Sequence, residues 1–286
     1  WARPKLNDLK TLFLYGSPLM LAEIVQMSHV FGDRFLIEYY FDLVQVAAYV
    51  APYSMSKIIS DIVFGGLAVA VVPIYMGMWN RKEYKQTSEL LSKISDYYLL
   101  IFPIAVGGLY LVSEPLMSIA ASEKYVDTAY IMPIVFIGVG IFSSTFIYSA
   151  GLRIKKNQAK ILQYVTESLV VNIVFNIIFL EEYGILVSAW ATVASYFWMS
   201  LRFYIASRLI INIDFNWINL LTGLAIGLIL MFITSVMPDI DLVFIDLLFR
   251  LLTGSLIAVI LLLIMSKQAK RDMKSIFGII IKKIKD

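Results

Sequence analysis

The residues of this sequence that could do chemistry are charged side chains inside long apolar segments. Lys57 and Asp61 are four residues apart, and so are Asp246 and Arg250. On a helix this spacing places both members of a pair on one face, where they can form an ion pair. Such a pair lowers the cost of charge in apolar surroundings, or it binds a polar ligand. We favour the first interpretation for Asp246 and Arg250, and both remain open for Lys57 and Asp61.

A second set of polar residues forms a stripe. Glu23, Gln26 and His29 recur every three residues in an apolar segment, after Pro18. The stripe predicts either the wall of a polar cavity or hydrogen bonds between helices. Further along, Glu167 is another charge in an apolar segment, whereas the four-residue spacing of Asn172 and Asn176 favours hydrogen bonding between helices over ligand binding.

The sequence contains no pattern typical of an enzyme. It has no cysteine and a single histidine, so a cysteine-based or histidine-rich metal site is excluded. The G-x-S-x-G, H-E-x-x-H and P-loop spacings do not occur. We therefore predict a protein that is not an enzyme and uses no cofactor or metal.

The elements that carry these residues are predicted to be membrane-spanning helices. Hydrophobic residues make up 60% of the 286 residues, more than one core can bury, and the mean hydropathy is +0.80. A helical span needs roughly 20 apolar residues. Eight windows meet this requirement: Leu12–Phe31, Val44–Trp79, Ile94–Val112, Ala129–Ala150, Ile161–Leu180, Ile185–Leu201, Trp217–Met237 and Leu242–Met265.

The distribution of loop charges decides how the second window crosses the membrane, because that window is long enough for two short passes broken at Gly65–Gly66. If it crosses once, the segments on one side of the membrane hold 20 of the 24 Lys and Arg residues. These segments are 1–10, 80–93, 151–160, 202–216 and 267–286. Cytoplasmic loops carry such an excess, so we predict eight spans with both ends of this chain in the cytoplasm.

The two ends of the chain carry further expectations. The first residue is Trp1 and no signal peptide precedes the first window, so we expect the sequence to be cut from a longer protein. Residues 267–286 combine apolar residues at helical spacing with Lys and Arg. They predict a basic amphipathic helix on the inner leaflet or, alternatively, a solvated tail.

Several short motifs stand out along the chain: Gly32-Asp33-Arg34-Phe35, the segment 46–51, Pro73, and Asn172 and Asn176 followed by the segment 183–192. They resemble motifs in the C-terminal half of the polysaccharide-biosynthesis flippases (the Wzx-type O-antigen transporters) of the MATE-like MOP superfamily. Gly32-Asp33-Arg34-Phe35 is similar to the family's D-R-F stretch, and the segment 46–51 resembles V-G-x-Y-x-x-A with Ala47 in place of Gly. Pro73 lies where the family commonly has a proline. Asn172, Asn176 and the segment 183–192 resemble N-x-x-x-N…Y-G-I-x-G-A-A-x-A-T, with Val187 in place of the second Gly.

The resemblance implies an all-α, polytopic transmembrane helix bundle that is the second half of a MATE-like fourteen-helix transporter. Residues 1–210 would form its second six-helix bundle, 211–266 two additional helices and 267–286 the cytoplasmic tail. The implied activity is alternating access in the cytoplasmic (inner) membrane, with substrate bound between the two halves. The implied partners are membrane lipid and an undecaprenyl-pyrophosphate-linked oligosaccharide, together with a glycan polymerase and glycosyltransferases; no nucleic acid is implied.

We predict that Lys57 faces the central cavity and contacts the pyrophosphate. Arg34 is predicted to contact substrate at the outer mouth or, alternatively, to pair with Asp33 or Glu38 on the surface. The predicted substrate-binding residues are Lys57, Asp61, Glu23, Arg34, Gln26 and His29. Three other functions remain open: an ion-coupled exporter in which Glu23 and Asp61 bind the ion, a lipid II flippase and a membrane scaffold without transport.

Overall fold

The computed structural model describes residues 6–238, 240–266 and 270. This part of the chain is helical and contains no β-strand. Its α-helices are α1 (Leu6–Tyr40), α2 (Leu43–Ser60), α3 (Gly66–Asn80), α4 (Tyr84–Ala120), α5 (Ile131–Ser143), α6 (Thr145–Tyr148), α7 (Ala150–Ile154), α8 (Gln158–Tyr183), α9 (Leu186–Arg208), α10 (Trp217–Thr234) and α11 (Val243–Met265). A 3₁₀ turn, Glu123–Thr128, lies between α4 and α5.

Helix α1 is longer than predicted. The sequence predicts that it ends near residue 31 and that residues 32–43 form a loop, but the helix continues to Tyr40. His29, Asp33 and Ile37 follow one another at four-residue spacing and are all buried. The prediction was wrong because charged residues were assigned to a solvent-facing loop, whereas Asp33 lies on the packed face of the helix.

The second predicted window forms one continuous helical run, Leu43–Asn80, as the loop charges predict. A π-helical turn, Asp61–Gly65, joins α2 to α3. Gly65 and Gly66 both keep helical backbone angles. At about 1.5 Å per residue the run is roughly 57 Å long, well beyond the ~30 Å of a bilayer core.

Each of the eight predicted windows corresponds to a helix or helical run, although some windows extend up to three residues beyond their helix. Among the described residues, six helices are long and apolar enough to cross a membrane: Leu43–Asn80, Tyr84–Ala120, Ile131–Tyr148, Gln158–Tyr183, Trp217–Thr234 and Val243–Met265. Helices α1 and α9 fall outside this set because polar side chains interrupt their apolar sequence. Several of those side chains are buried in the protein, as at Asp33, Ser188 and Ser195.

Contacts divide the chain into two units. The first comprises the residues up to Ser95 together with Ile134–Asp214. Its centre is α8, which packs against α1 and α9. Gly138 of α5 and Gly151 of α7 lie so close to α9 that a Cβ atom at either position would meet Thr192 or Ser207 at 2.8–2.9 Å. Small residues thus allow the short helices to pack closely on α9.

The second unit comprises Asp96–Pro133 and the chain from Phe215 onward. Ile104, Ile226 and Leu230 form its buried core, against which residues of α11 pack. The backbones of α4 and α10 approach closely, since a Cβ on Gly107 would meet the backbone of Gly227. The sequence predicts that the first bundle ends at residue 210, and the first unit ends at residue 214. Residues 96–133, however, belong to the same unit as α10 and α11. The predicted six-helix bundle therefore stays a prediction, and the predicted amphipathic tail lies, apart from residue 270, outside the described residues.

Short connections join several helices. Lys82 and Lys156 adopt positive φ angles of 63° and 53° at the ends of α3 and α7. In each case the amide of the lysine and the amide of the next residue donate to carbonyls of the last helical turn, the Schellman arrangement. Beside Lys82, the Arg81 guanidinium donates to the Glu83 carboxylate at 2.7 Å. This hydrogen bond lowers the pKa of Glu83 and raises that of Arg81.

Candidate functional site

A buried carboxylate joins four helices of the first unit. Asp33 on α1 is fully buried. Its Oδ2 accepts hydrogen bonds from the Tyr49 hydroxyl of α2 at 3.0 Å and the Thr192 hydroxyl of α9 at 3.1 Å. Its Oδ1 accepts one from Asn176 Nδ2 of α8 at 3.1 Å. All three donors are uncharged, so they satisfy the carboxylate without a neighbouring cation among these contacts.

The network continues through the amide of Asn176. Its Oδ1 accepts a 2.6 Å hydrogen bond from the Ser188 hydroxyl, and its Nδ2 also donates to the Asn172 carbonyl at 3.0 Å. Asn172 and Asn176 are both fully buried. The interhelical hydrogen bonding predicted for this pair therefore describes Asn176 well, because its amide links α8 to α1 and α9.

A second polar group lies on the same helix. The His29 Nε2 and the Ser168 hydroxyl are 2.7 Å apart, and the His29 ring packs against Tyr196 with centroids separated by 5.1 Å. Gln26 Nε2 donates to the Tyr196 hydroxyl at 2.8 Å. Tyr53 of α2 is also hydrogen bonded to Tyr196. Gln26 and His29 thus make hydrogen bonds to neighbouring helices of the first unit, as in the interpretation of the polar stripe as interhelical hydrogen bonding.

The predicted pair Lys57 and Asp61 forms, with Nζ and Oδ2 at 2.8 Å. Asp61 is the first residue of the π-helical turn. The two side chains are 46% and 60% exposed, so the pair lies on an uncovered face of the helical run. π-helical turns are rare and occur often at functional sites. The pair therefore presents one amine and one carboxylate to whatever contacts this face.

The two remaining predicted residues lie apart from these groups. Glu23 is exposed on α1. Arg34 is half-buried, and its guanidinium carbon lies 5.1 Å from the centroid of the Phe31 ring. Within the described part of the chain, the structure thus brings four of the six predicted residues together in two groups, Gln26 with His29 and Lys57 with Asp61.

Asp33 was not among the predicted substrate-binding residues. The sequence contained a signal for it, since it lies in the Gly32-Asp33-Arg34-Phe35 motif and four residues after His29. Its partners Asn176 and Thr192 lie more than 140 residues away in the sequence, so only the packing of the helices reveals the network. No group of three or more His, Asp or Glu residues that could hold a metal ion occurs in the part of the chain that the structure describes.

Comparison with known proteins adds three findings. A family described as "Polysaccharide biosynthesis protein" matches residues 2–130. The chain is 22% identical over 197 residues to the probable low-salt glycan biosynthesis flippase Agl15 of Haloferax volcanii. The aligned region covers 68% of this chain and 41% of Agl15. The chain is thus similar to polysaccharide-biosynthesis proteins and to a glycan-biosynthesis flippase.

The fold agrees with this relationship. The solved structure of the lipid II flippase MurJ in an inward closed conformation matches 92% of this chain and 56% of that one, with a TM-score of 0.66 and 19% identity. The predicted resemblance and the all-α, polytopic fold are therefore confirmed, and the chain is part of a multi-pass membrane protein. It spans less than half the length of Agl15 and about half that of the MurJ chain.

Proposed function

We propose that this chain forms the second half of a flippase that moves a polyprenyl-pyrophosphate-linked oligosaccharide across the cytoplasmic membrane by alternating access. The observation that carries the proposal is the exposed Lys57–Asp61 pair at the π-helical turn. The flippase relatives support the substrate class, since the names of Agl15 and MurJ refer to glycan biosynthesis and lipid II. We further propose an undecaprenyl carrier.

The position of the pair favours contact with a polar substrate over contact with lipid. A charged residue at the centre of a membrane helix costs roughly 2.5–3.5 kcal/mol on insertion scales. Pairing reduces this cost. Both side chains nevertheless stay about half exposed, and only 22% of the most apolar window of this helical run is buried inside the protein. A cavity that admits water and substrate removes the remaining cost.

Lys57 suits a diphosphate. Its ammonium has three donors and Asp61 uses one of them. A diphosphate brings several charged oxygens, so it competes with a single carboxylate for the amine. Asp61 would then keep the amine satisfied in the empty state and repel the anion during release. Arg34 remains a candidate contact for the substrate at the outer mouth.

The orientation is part of the proposal. The excess of Lys and Arg in alternate loops places both ends of this chain in the cytoplasm. The diphosphate would then first meet the protein from the inner leaflet, where lipid-linked intermediates are assembled by glycosyltransferases. A glycan polymerase would consume the exported product.

The test is export of glycan by the full-length protein carrying Lys57→Ala, Lys57→Arg or Asp61→Asn. We expect Lys57→Ala to abolish export and Lys57→Arg to retain part of it, because arginine keeps the charge but not the geometry. Lys85→Ala is the matched control, since Lys85 forms an exposed pair of the same spacing with Glu89. Normal export by Lys57→Ala at normal protein levels would refute the role of Lys57.

A further inference from the structure

Another ion pair of the first unit, partly exposed, joins α8 to α9. Arg202 of α9 pairs with Glu167 of α8, with Nε and Oε2 at 3.0 Å and Nη2 and Oε1 at 3.2 Å. Glu167 Oε2 also accepts a hydrogen bond from the Trp198 indole at 3.3 Å, and Oε1 accepts one from Gln163 at 2.8 Å. The Arg202 guanidinium lies 4.6 Å above the Tyr164 ring.

This cluster has no net charge. The two contacts between Arg202 and Glu167 neutralise both groups, and the Tyr164 ring covers one side of the guanidinium. The side chains of Arg202 and Glu167 are 35% and 28% exposed. A lipid hydrocarbon chain would gain nothing from these polar groups, and a phosphate would find the arginine already engaged. The surface suits a ligand that is uncharged and forms hydrogen bonds.

A groove lies over the cluster. Its volume of about 490 Å³ falls in the ~300–1,000 Å³ range of small-molecule sites. It is a shallow groove whose accessible wall is mostly apolar, with polar side chains at its edge; its lining residues are Trp198, Gln163, Thr166, Glu167, Val170 and Val171. The hydrogen bond to Glu167 holds the indole in place, and Trp198 remains 40% exposed.

We propose that this groove binds a sugar ring of the lipid-linked glycan, an inference that rests on the proposed function. A pyranose ring has an apolar face of C–H groups that packs on an indole, and hydroxyls at its edge. The amide of Gln163 keeps one N–H and its carbonyl oxygen. The hydroxyl of Thr166 donates to the Leu162 carbonyl and can still accept, so these two side chains offer both donors and acceptors for the sugar hydroxyls. The neutral pair therefore sets specificity for sugar over phosphate.

The position of the groove along the helices fits this role. Glu167 lies nine residues after the start of α8 and Arg202 six residues before the end of α9, which correspond to roughly 14 Å and 9 Å along the helices. Under the proposed orientation the start of α8 and the end of α9 both face the cytoplasm. The groove would then contact the headgroup as it enters from the inner leaflet.

The test uses the full-length protein in phosphatidylcholine nanodiscs that contain either monoglucosyldiacylglycerol or phosphatidic acid with the same acyl chains. The signal is the tryptophan fluorescence that is lost in Trp198→Phe. We expect a saturable change with the glucolipid and none with phosphatidic acid. Trp190→Phe is the matched control, because Trp190 lies on the same helix and is 45% exposed. It should leave the glucolipid response intact.

Glu167→Gln supplies a second, opposite expectation. The variant leaves the Arg202 charge without its carboxylate, so phosphatidic acid should now bind. Affinity for the glucolipid should fall by about tenfold, because the indole of Trp198 loses the charged acceptor that holds it in place.

Three results would overturn the inference: an equal response to the two lipids, no response to either, or a Glu167→Gln variant that keeps the wild-type preference. Failure of the proposed function gives a different outcome. If the glucolipid binds as expected and Lys57→Ala exports normally, the role of Lys57 fails and the sugar groove stands. If Lys57→Ala abolishes export and the glucolipid does not bind, the groove alone fails.

Discussion

Replacing Asp33 by alanine should destabilise the first unit more than any exposed substitution on the same helix. Asp33 accepts hydrogen bonds from α2, α8 and α9 at 3.0–3.1 Å and is fully buried. Alanine removes the acceptor and leaves three buried donors to find other partners. An unsatisfied buried donor costs about 1–3 kcal/mol.

The magnitude follows from the alternatives open to each donor. Thr192 can still donate to the Ser188 carbonyl, and Asn176 to the Asn172 carbonyl, both at 3.0 Å. Those two donors are therefore partly relieved, and the Tyr49 hydroxyl carries most of the loss. Removal of a buried carboxylate offsets part of it. We expect Asp33→Ala to lower the free energy of unfolding by about 2–4 kcal/mol.

Asp33→Asn separates hydrogen bonding from charge. The amide keeps the shape and one carbonyl oxygen, and its own donors can pair after the neighbouring hydroxyls rotate. We expect a loss of about 1 kcal/mol or less. The assay is unfolding of the purified protein by sodium dodecyl sulfate in mixed micelles, followed by circular dichroism. Glu38→Ala is the control, because Glu38 is exposed on the same helix.

Two results would refute this reasoning. If Asp33→Ala is as stable as Glu38→Ala, the hydrogen-bond network does not hold the four helices together. If Asp33→Asn is as damaging as Asp33→Ala, the negative charge itself matters more than the shape and number of hydrogen bonds. In that case the carboxylate has a role beyond packing.

Two further predictions test packing and electrostatics elsewhere. Gly107→Ala should destabilise the second unit by about 1–3 kcal/mol, because its Cβ would overlap the α10 backbone. Gly108→Ala is the control: its Cβ meets nothing within 4 Å, so the substitution should be neutral or stabilising. Equal free energies of unfolding for the two variants would contradict this. The carboxyl of Glu83 should titrate below the usual range in carbon NMR and return to it in Arg81→Gln, because the Arg81 hydrogen bond lowers the Glu83 pKa. The stabilisation is therefore present at neutral pH and lost as the pH falls through the lowered pKa; an unchanged titration in the variant would contradict it.

The sequence was sufficient for the helices but not for their ends. Apolar windows and loop charges predicted eight helical segments, including the single run through Gly65 and Gly66. Hydropathy could not reveal that Asp33 is buried, because its partners on α8 and α9 lie more than 140 residues away in the chain. The same limitation hid the Arg202–Glu167 cluster, since Arg202 was assigned to a cytoplasmic loop.

The π-helical turn was also beyond sequence reasoning. The sequence allowed a break at Gly65–Gly66, but a π-helical turn depends on one extra residue between the donor and acceptor of each backbone hydrogen bond. Nothing in the composition of Asp61–Gly65 distinguishes it from an ordinary α-helical turn. The consequence for the site is a local widening of the helix directly after Lys57.

Two ion pairs with identical spacing have different surroundings, and this difference supports different roles. Asp246 and Arg250 are 2.8 Å apart, with side chains only 9% and 4% exposed, inside the second unit. Lys57 and Asp61 are also 2.8 Å apart, yet both are about half exposed. A buried pair whose groups are held by protein contributes to packing and cannot exchange partners with a substrate. An exposed pair can exchange, so identical sequence signals lead to a structural role for the first pair and to the proposed diphosphate contact for the second.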